Sequence, residues 1–161
     1  MKKQTVMAMI ECPKGSNQKF DYDSETQRFR LSKILPAGLV FPFDFGMIPG
    51  TKGEDGDPLD MIVISEGSTF PGCLVDCRVI GAIQAEQTER NGDTMRNDRF
   101  IGIPQVSQLF SDVNNLEELP QAICEQLEAF FKNYNEQAGK VFKVKARLNA
   151  RQAANLLNDK K

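Results

Sequence analysis

The run Asp55-Gly56-Asp57-Pro58-Leu59-Asp60 leads without a break into Met61-Ile62-Val63-Ile64. Three carboxylates fall within six residues, and Glu54 stands just before them. Carboxylates packed that closely repel one another unless a cation lies among them. Gly56 and Pro58 set a tight, non-helical backbone, so the acidic side chains can face a common centre. The apolar tetrad that follows has the length and composition of a buried strand. The stretch therefore predicts a hard-cation site at a strand mouth, since carboxylate oxygens suit Mg²⁺ or Mn²⁺. The plain alternative is an acidic surface turn before a strand. An EF-hand loop is the nearest motif competitor, with Asp55, Asp57 and Glu66 at its positions 1, 3 and 12. It fails at Leu59 and at Asp60, where the EF-hand requires a ligand and a glycine, and its flanks here are strand-like.

The rest of the composition narrows the chemistry. A length of 161 residues predicts one domain, 1–161, large enough to bury a core. A net charge of −2 argues against a nucleic-acid binder. No apolar run approaches the ~20 residues that span a bilayer, so no membrane partner is expected. Met1-Lys2-Lys3-Gln4 leads into a strand-like run and not into the apolar core of a signal peptide, so the expected location is the cytoplasm. Cys12, Cys73, Cys77 and Cys124 form no CxxC pair and read as free thiols. The chain has no histidine. Zinc and Ser-His-Asp or Cys-His chemistry are thereby disfavoured, and acid–base work falls to carboxylates, lysines, tyrosines or activated water. Gly50-Thr51-Lys52-Gly53 is not a P-loop.

Element signals run from β to α. Thr5 to Cys12 reads as a strand ended by Pro13-Lys14-Gly15. Lys19 to Asp23 alternates and returns through Ser24-Glu25-Thr26 as a hairpin over Gln27–Leu31. A long strand is expected from Cys73 to about Ala85, then a polar tip over Glu86–Asp93. From Leu116 the spacing of Leu119, Ile123, Leu127, Phe130, Phe131 and Tyr134 predicts a helix, with Pro120 in its first turn. A last strand follows over Lys140–Ala146, and Asn149 with Gln152 forms the capping box of a short terminal helix. Five or more strands with one long helix predict a barrel with helices packed against it.

The acidic hexad with its apolar strand resembles the D-G-D-P-[apolar]-D signature of the soluble family I inorganic pyrophosphatases. The similarity runs from about Met9 to Phe142. Ile10-Glu11-Cys12-Pro13, Lys19-Phe20-Asp21, Phe41-Pro42-Phe43-Asp44-Phe45-Gly46, Arg78 with Gly81, and Phe130-Phe131 with Tyr134 are similar to further family segments. The resemblance implies a mainly β (α+β) fold: an OB-like five-stranded barrel with one long and one short C-terminal helix, in bacteria-type members a homohexamer. It implies Asp55, Asp60 and Asp98 as metal ligands and Asp57 as the group that takes a proton from water. It implies Lys19, Lys33, Arg99 and Tyr134 on the phosphoryl groups, with Glu11 and Asp21 completing the acidic rim. The chain departs from the pattern at several positions. Phe41 and Phe45 stand where the family usually has tyrosines, Asp44 for asparagine, Lys33 for arginine and Asn135 for lysine. Of two carboxylates and a lysine before the apolar strand Phe100–Pro104, alignment without gaps back from Pro104 gives Asn97 and Arg99, with Gln87 at the earlier carboxylate. Asp98 lies one residue from Asn97, where a bulge could turn it into the site, and Glu86 or Glu89 could replace the carboxylate missing at Gln87. A hydroxyl absent at Phe45 removes a phosphate hydrogen bond, ~1.5–3 kcal/mol for a charged acceptor.

Three functions stand at this point. One is Mg²⁺-dependent hydrolysis of pyrophosphate to two phosphates, with Mn²⁺ a substitute. Another is an impaired or repurposed relative that binds phosphate or a phosphoanhydride with metal and turns it over poorly. The third, a plain barrel interaction module, leaves the clustered carboxylates without a role.

Overall fold

The computed structural model of the chain describes residues 3–160. Met1, Lys2 and Lys161, the ends of the expected domain and the start of the N-terminal reading, lie outside the described residues. Nine strands and two α-helices follow in order: β1 (Thr5–Cys12), β2 (Gln18–Asp23), β3 (Arg28–Ile34), β4 (Asp44–Ile48), β5 (Leu59–Val63), β6 (Leu74–Thr88), β7 (Thr94–Arg96), β8 (Arg99–Pro104), α1 (Gln121–Gln137), β9 (Val141–Asn149) and α2 (Ala150–Asn158). Five strands close on themselves in the order β1-β4-β5-β8-β6, with β6 returning to pair β1. This is the expected five-stranded barrel. β7 and β9 extend it from β6, and β2 with β3 forms a separate hairpin.

β5 shows why the tetrad is continuously apolar. Met61 and Val63 join one core with Ala8, Ile10, Phe100 and Leu157 of α2. Ile62 and Ile64 join the other, with Ile101, Leu127 and Phe130 of α1. Both faces of the strand are covered, so alternation gives no polar positions. β6 serves both cores in the same way, through Val79 and Ala82 on one side and Ile80 and Ile83 on the other.

Among the boundaries that differ from expectation, β3 runs on to Ile34 beyond the expected Leu31, and three others have a local reason. β6 runs on to Thr88 because Glu86, Gln87 and Thr88 pair with both β7 and β9. The ladder on two sides outweighs the polar composition that reads as a hairpin tip. α1 begins at Gln121, after a 3₁₀ turn over Leu116–Glu118, and Pro120 is its N-cap residue. A residue before proline is pushed out of the α region, and Leu119 is extended at φ −76°, ψ 152°. β9 continues to Asn149, whose side chain accepts from Gln152 N–H while Gln152 reaches back to Asn149 N–H. The capping box is therefore as expected.

Gly46 pairs Ile10 across β1 and β4, and a Cβ there would lie 2.1 Å from the Met9 carbonyl oxygen. Backbone cannot rotate away as a side chain would. Gly46→Ala should cost about 1–3 kcal/mol, the usual scale of overpacking. An unchanged midpoint in urea denaturation would show that β1 and β4 can separate freely.

Glu66, after β5, accepts from Ser107 Oγ (2.6 Å), Gln108 N–H (2.9 Å) and Leu109 N–H (3.2 Å). These bonds hold its carboxyl down at about 2. A depressed carboxyl stabilises the fold above its unfolded value near 4.5, and this contribution is lost as pH falls from there toward 2. Glu66→Gln should therefore lower thermal stability at pH 6 and converge with the parent near pH 2. A stability gap that is constant with pH would remove the carboxylate from this role.

Candidate active site

The acidic loop is a turn that binds itself. Leu59 N–H donates to Thr51 Oγ1 (3.0 Å), and Gly53 N–H to the Asp57 carbonyl (2.7 Å). Gly56 sits at φ 90°, a conformation that favours glycine. Asp55 Oδ1 accepts Asp57 N–H at 3.0 Å, an Asx turn. Asp55 and Asp57 stay exposed at the tip, while Asp60, already in β5, is half-buried. Glu54 accepts Arg96 N–H at 3.0 Å, which ties the loop to β7.

Pairing of β5 with β8 sets Asp60 opposite Arg99. Arg99 Nη1 lies 2.7 Å from Asp60 Oδ2. The guanidinium is buried among Phe131, Phe142 and Phe45, at 4.7, 5.3 and 5.9 Å from their ring centres. Nη1 also donates to the Asn97 carbonyl at 3.0 Å and to Asn97 Oδ1. Asn97 Nδ2 donates to Gln87 Oε1 (2.8 Å), and Gln87 Nε2 to Glu89 Oε1 (2.9 Å). A chain of hydrogen bonds thus runs from Glu89 through two amides and Arg99 to Asp60.

Around this chain, acid and base face each other. Burial pushes the Glu11 carboxyl up to about 7, helped by the charges of Asp21 and Asp60 and opposed by Tyr22 N–H at 3.2 Å. Burial raises Asp60 too; Arg99 opposes it, and Asp55 and Asp57 add to it. Lys19 Nζ lies 3.3 Å from Asp21. Lys33 faces Lys19 across the β2–β3 hairpin. Burial and then the charges of Lys19, Lys140 and Arg90 pull its ammonium down. Lys33 Nζ lies 5.9 Å from the ring of Tyr134, whose hydroxyl is buried without a partner among the described residues. Burial raises that phenol.

Asp98 takes a different position from the loop carboxylates. Its Oδ1 accepts Ala85 N–H at 3.0 Å, and Arg96 grips both oxygens at 3.2 and 2.6 Å. It spans the step from β7 to β8 as a latch. Asp55, Asp60 and Asp98 line one small cavity of about 20 Å³, room for a single water-sized species. No three acidic or thiol side chains among the described residues converge as a ready metal cluster.

The chain matches the inorganic pyrophosphatase family model over residues 8–161. It is 35% identical to an inorganic pyrophosphatase of Halalkalibacterium halodurans, over 97% of this chain and 93% of the relative. It is 36% identical to one of Geobacillus stearothermophilus, over 84% and 79%. Its fold superposes on the crystal structure of the inorganic pyrophosphatase from Thermus thermophilus with a TM-score of 0.87, covering 96% of this chain and 87% of that one at 29% identity. The chain belongs to the inorganic pyrophosphatase family.

Several departures from the pyrophosphatase pattern have a structural account. Asp44 is fully buried and accepts from Lys14 N–H (2.7 Å), Thr69 N–H (3.1 Å) and Thr69 Oγ1 (2.7 Å), stapling two loops beside β4. Phe41 is a core residue, stacked on Phe45 and tilted against Phe130. Asn135 is buried and donates to the Phe131 carbonyl at 2.7 Å, a neutral bond back onto its own helix. Lys140 and Arg90, which no local motif marks, come near Lys33 because the β6–β7 turn meets the end of α1. Lys140 Nζ lies 3.0 Å from Glu89, and Arg90 Nε donates to the Ala138 carbonyl at 2.7 Å.

The bonds to Asp98 predict a stability effect independent of any ligand. Asp98→Asn can keep the Ala85 bond but loses the charge that Arg96 grips. It should cost about 1.5–3 kcal/mol in metal-free protein. Asp57→Asn at the exposed tip should cost less than about 0.5 kcal/mol. Equal losses in chemical denaturation would show that Asp98 carries no special structural role.

Proposed function

We propose that this pyrophosphatase-family chain, acting as one domain in the cytoplasm, hydrolyses inorganic pyrophosphate to two phosphates with Mg²⁺, Mn²⁺ being a substitute. The observation that carries the reading is the meeting of an acidic rim with a cationic wall. Asp21 and Asp60 each stand within Coulombic reach of Glu11, and Lys19, Lys33 and Arg99 stand beside these carboxylates. A dense polyanion needs such a wall, and the excess carboxylates need cations of their own.

The donor set fits a hard divalent cation. Its oxygens are carboxylates, burial and mutual repulsion raise Glu11 and Asp60, and a cation among them would relieve both effects. Asp55 and Asp60 would hold it, with Glu11 and Asp21 on the rim. Asp98 would join only by releasing Arg96. Bound there, a divalent cation would neutralise pyrophosphate charge and make water more acidic. Lys19, Lys33 and Arg99 bind phosphoryl oxygens and hold the two groups apart in charge and position. The Tyr134 hydroxyl, buried and unpartnered among the described residues, donates to one of them. Asp57, at the open tip, accepts the proton of the attacking water on its carboxylate. As the water oxygen forms its bond to one phosphorus, the bond from that phosphorus to the bridging oxygen breaks, and its electron pair leaves on the departing phosphate. By family resemblance the assembly is a homohexamer.

A second reading keeps binding and loses turnover. It is favoured by the two guanidinium–carboxylate pairs, Arg99–Asp60 and Arg96–Asp98, which already occupy two of the expected ligands.

Steady-state phosphate release from pyrophosphate with Mg²⁺, beside ATP and tripolyphosphate, separates the two. The expected result is turnover with pyrophosphate preferred, and a fall of roughly two orders of magnitude or more in Asp57→Asn with metal affinity retained. No turnover at any pyrophosphate or metal concentration, with calorimetric binding intact, establishes the binder. A near-normal rate in Asp57→Asn takes Asp57 out of the proton-accepting role.

A further inference from the structure

Ile48 ends β4 and Leu59 begins β5, so the acidic loop hangs between two buried residues. Both belong to the core that Ala153 and Leu157 of α2 help to fill. The first limb of the loop is bonded at three successive residues. Thr51 Oγ1 donates to the Ile48 carbonyl at 2.5 Å and accepts from Leu59 N–H. Lys52 N–H donates to the Lys160 carbonyl at 3.3 Å, and Gly53 N–H crosses to the Asp57 carbonyl. Thr51 and Gly53 thus close the loop on itself and on the strand ends. Of the three, Lys52 alone ties it to an element outside the barrel. Lys160 is in turn carried by the last turn of α2. Its N–H donates to the Leu157 carbonyl at 3.1 Å, and Asp159 N–H donates to the Asn155 carbonyl at 3.3 Å. The fully buried Leu157 therefore fixes both the core under the loop and the carbonyl beside it. Lys160 also lines the small cavity that Asp55, Asp60 and Asp98 share.

We propose that Lys160 is a positioning residue for the acidic loop: through its carbonyl, the last turn of α2 holds the loop's first limb so that Asp55 stays beside Asp60. The proposal rests on the preceding reading only for Asp55 and Asp60 as ligands of a divalent cation; the tie itself is present without metal. Its physical basis is preorganisation. Asp55 and Asp57 sit at an exposed tip, and without a cation their charges repel Asp60 and push the tip outward. A loop that swings out must be ordered again as a cation binds, and that ordering lowers affinity. A tie at Lys52 keeps the limb in place beforehand. The ammonium of Lys160 acts in the opposite sense, since a positive charge at the cavity wall disfavours a second cation. Backbone and charge at this one residue are therefore separable by the sign of their effects.

The full chain stripped of metal, with Mg²⁺ alone as the probe, tests this in two variants that lose the same charge. Lys160→Gln keeps the carbonyl in place. Lys160→Pro removes the bond to Leu157 and drives Asp159 out of the α region it occupies at φ −73°, ψ −13°, so the carbonyl leaves Lys52. In calorimetry, Lys160→Pro should bind Mg²⁺ roughly 2- to 10-fold more weakly than Lys160→Gln, the scale of one ordinary hydrogen bond. Lys160→Gln should bind at least as tightly as the parent, and Lys160→Arg should match the parent. Hydrogen exchange without metal gives a readout independent of the ion. Exchange at the Lys52 and Gly53 amides should be faster in Lys160→Pro than in Lys160→Gln, with Met61–Val63 of β5 unchanged. Lys160→Gly, which only loosens the last turn, should fall between the two and decides the matter if the proline variant does not fold. Equal Mg²⁺ affinity in the glutamine and proline variants overturns the positioning role. So does faster exchange spread evenly over β5, the mark of a general loss of stability. Asp55→Asn and Asp60→Asn separate this from the metal reading. If neither lowers Mg²⁺ affinity, the metal reading fails; if both lower it and Lys160→Pro does not, only the positioning role fails.

Discussion

The parallel pairing of β5 with β8 is the constraint on which the site depends. Parallel neighbours begin at the same end of a sheet, so the segments that precede them lie side by side. The acidic loop precedes β5, and Asn97-Asp98 precedes β8. A parallel pair also needs a long crossover, which β6 and β7 supply. The strand that closes the barrel onto β1 thus also carries the chain back to the mouth where it began. From that arrangement follow the Asp60–Arg99 pair, the bond from Arg96 N–H to Glu54, and the shared cavity of Asp55, Asp60 and Asp98.

A charged pair in that position is expensive to build, and the aromatic wall explains how the fold tolerates it. Burying a guanidinium costs several kcal/mol unless its charge and donors are met. Asp60 meets the charge, and ring faces meet the flat surfaces of the group. Phe131 lies on α1, Phe142 on β9 and Phe45 on β4, so three elements distant in sequence enclose one side chain. Lysine, a compact and strongly hydrated charge, would not use these faces in the same way. The departure to arginine at position 99 and the amides at 87 and 97 therefore form one coherent set.

Much of this was legible in the sequence, and the limit is physical. The acidic turn, the β2–β3 hairpin and the Asn149–Gln152 cap are local, and their residues act within a few positions of one another. The barrel followed from strand count and from the family resemblance. What local reasoning could not reach was partnership across the fold. Asp98 and Asn97 are neighbours in sequence, yet Asp98 turns to Ala85 and Arg96, and Asn97 to Gln87 and Arg99. That choice is made by the strand step between β7 and β8, which no spacing rule encodes. Lys140 and Arg90 are surface charges until the end of α1 meets the β6–β7 turn. Asp44 reads as a departure from the family's asparagine, and only its three donors mark it as a staple.

The two phenylalanines at tyrosine positions differ in kind for the same reason. Phe41 is 3% exposed and packs among Phe45, Phe130 and Tyr134, so a hydroxyl there would need a buried partner that the neighbouring rings do not supply. Its phenyl ring is the residue this core accepts. Phe45 stands between that core and Arg99, stacked on Phe41 on one side and 5.9 Å from the guanidinium on the other. A hydroxyl at Phe45 would add a polar group at the edge of the site without removing the ring face that Arg99 uses. On the proposed reading, loss of that hydroxyl would fall on anion binding, while the ring face near Arg99 is kept. The wall and the acidic loop are separable parts of one mouth, so the substrate side can weaken while the carboxylates that face water stay as they are.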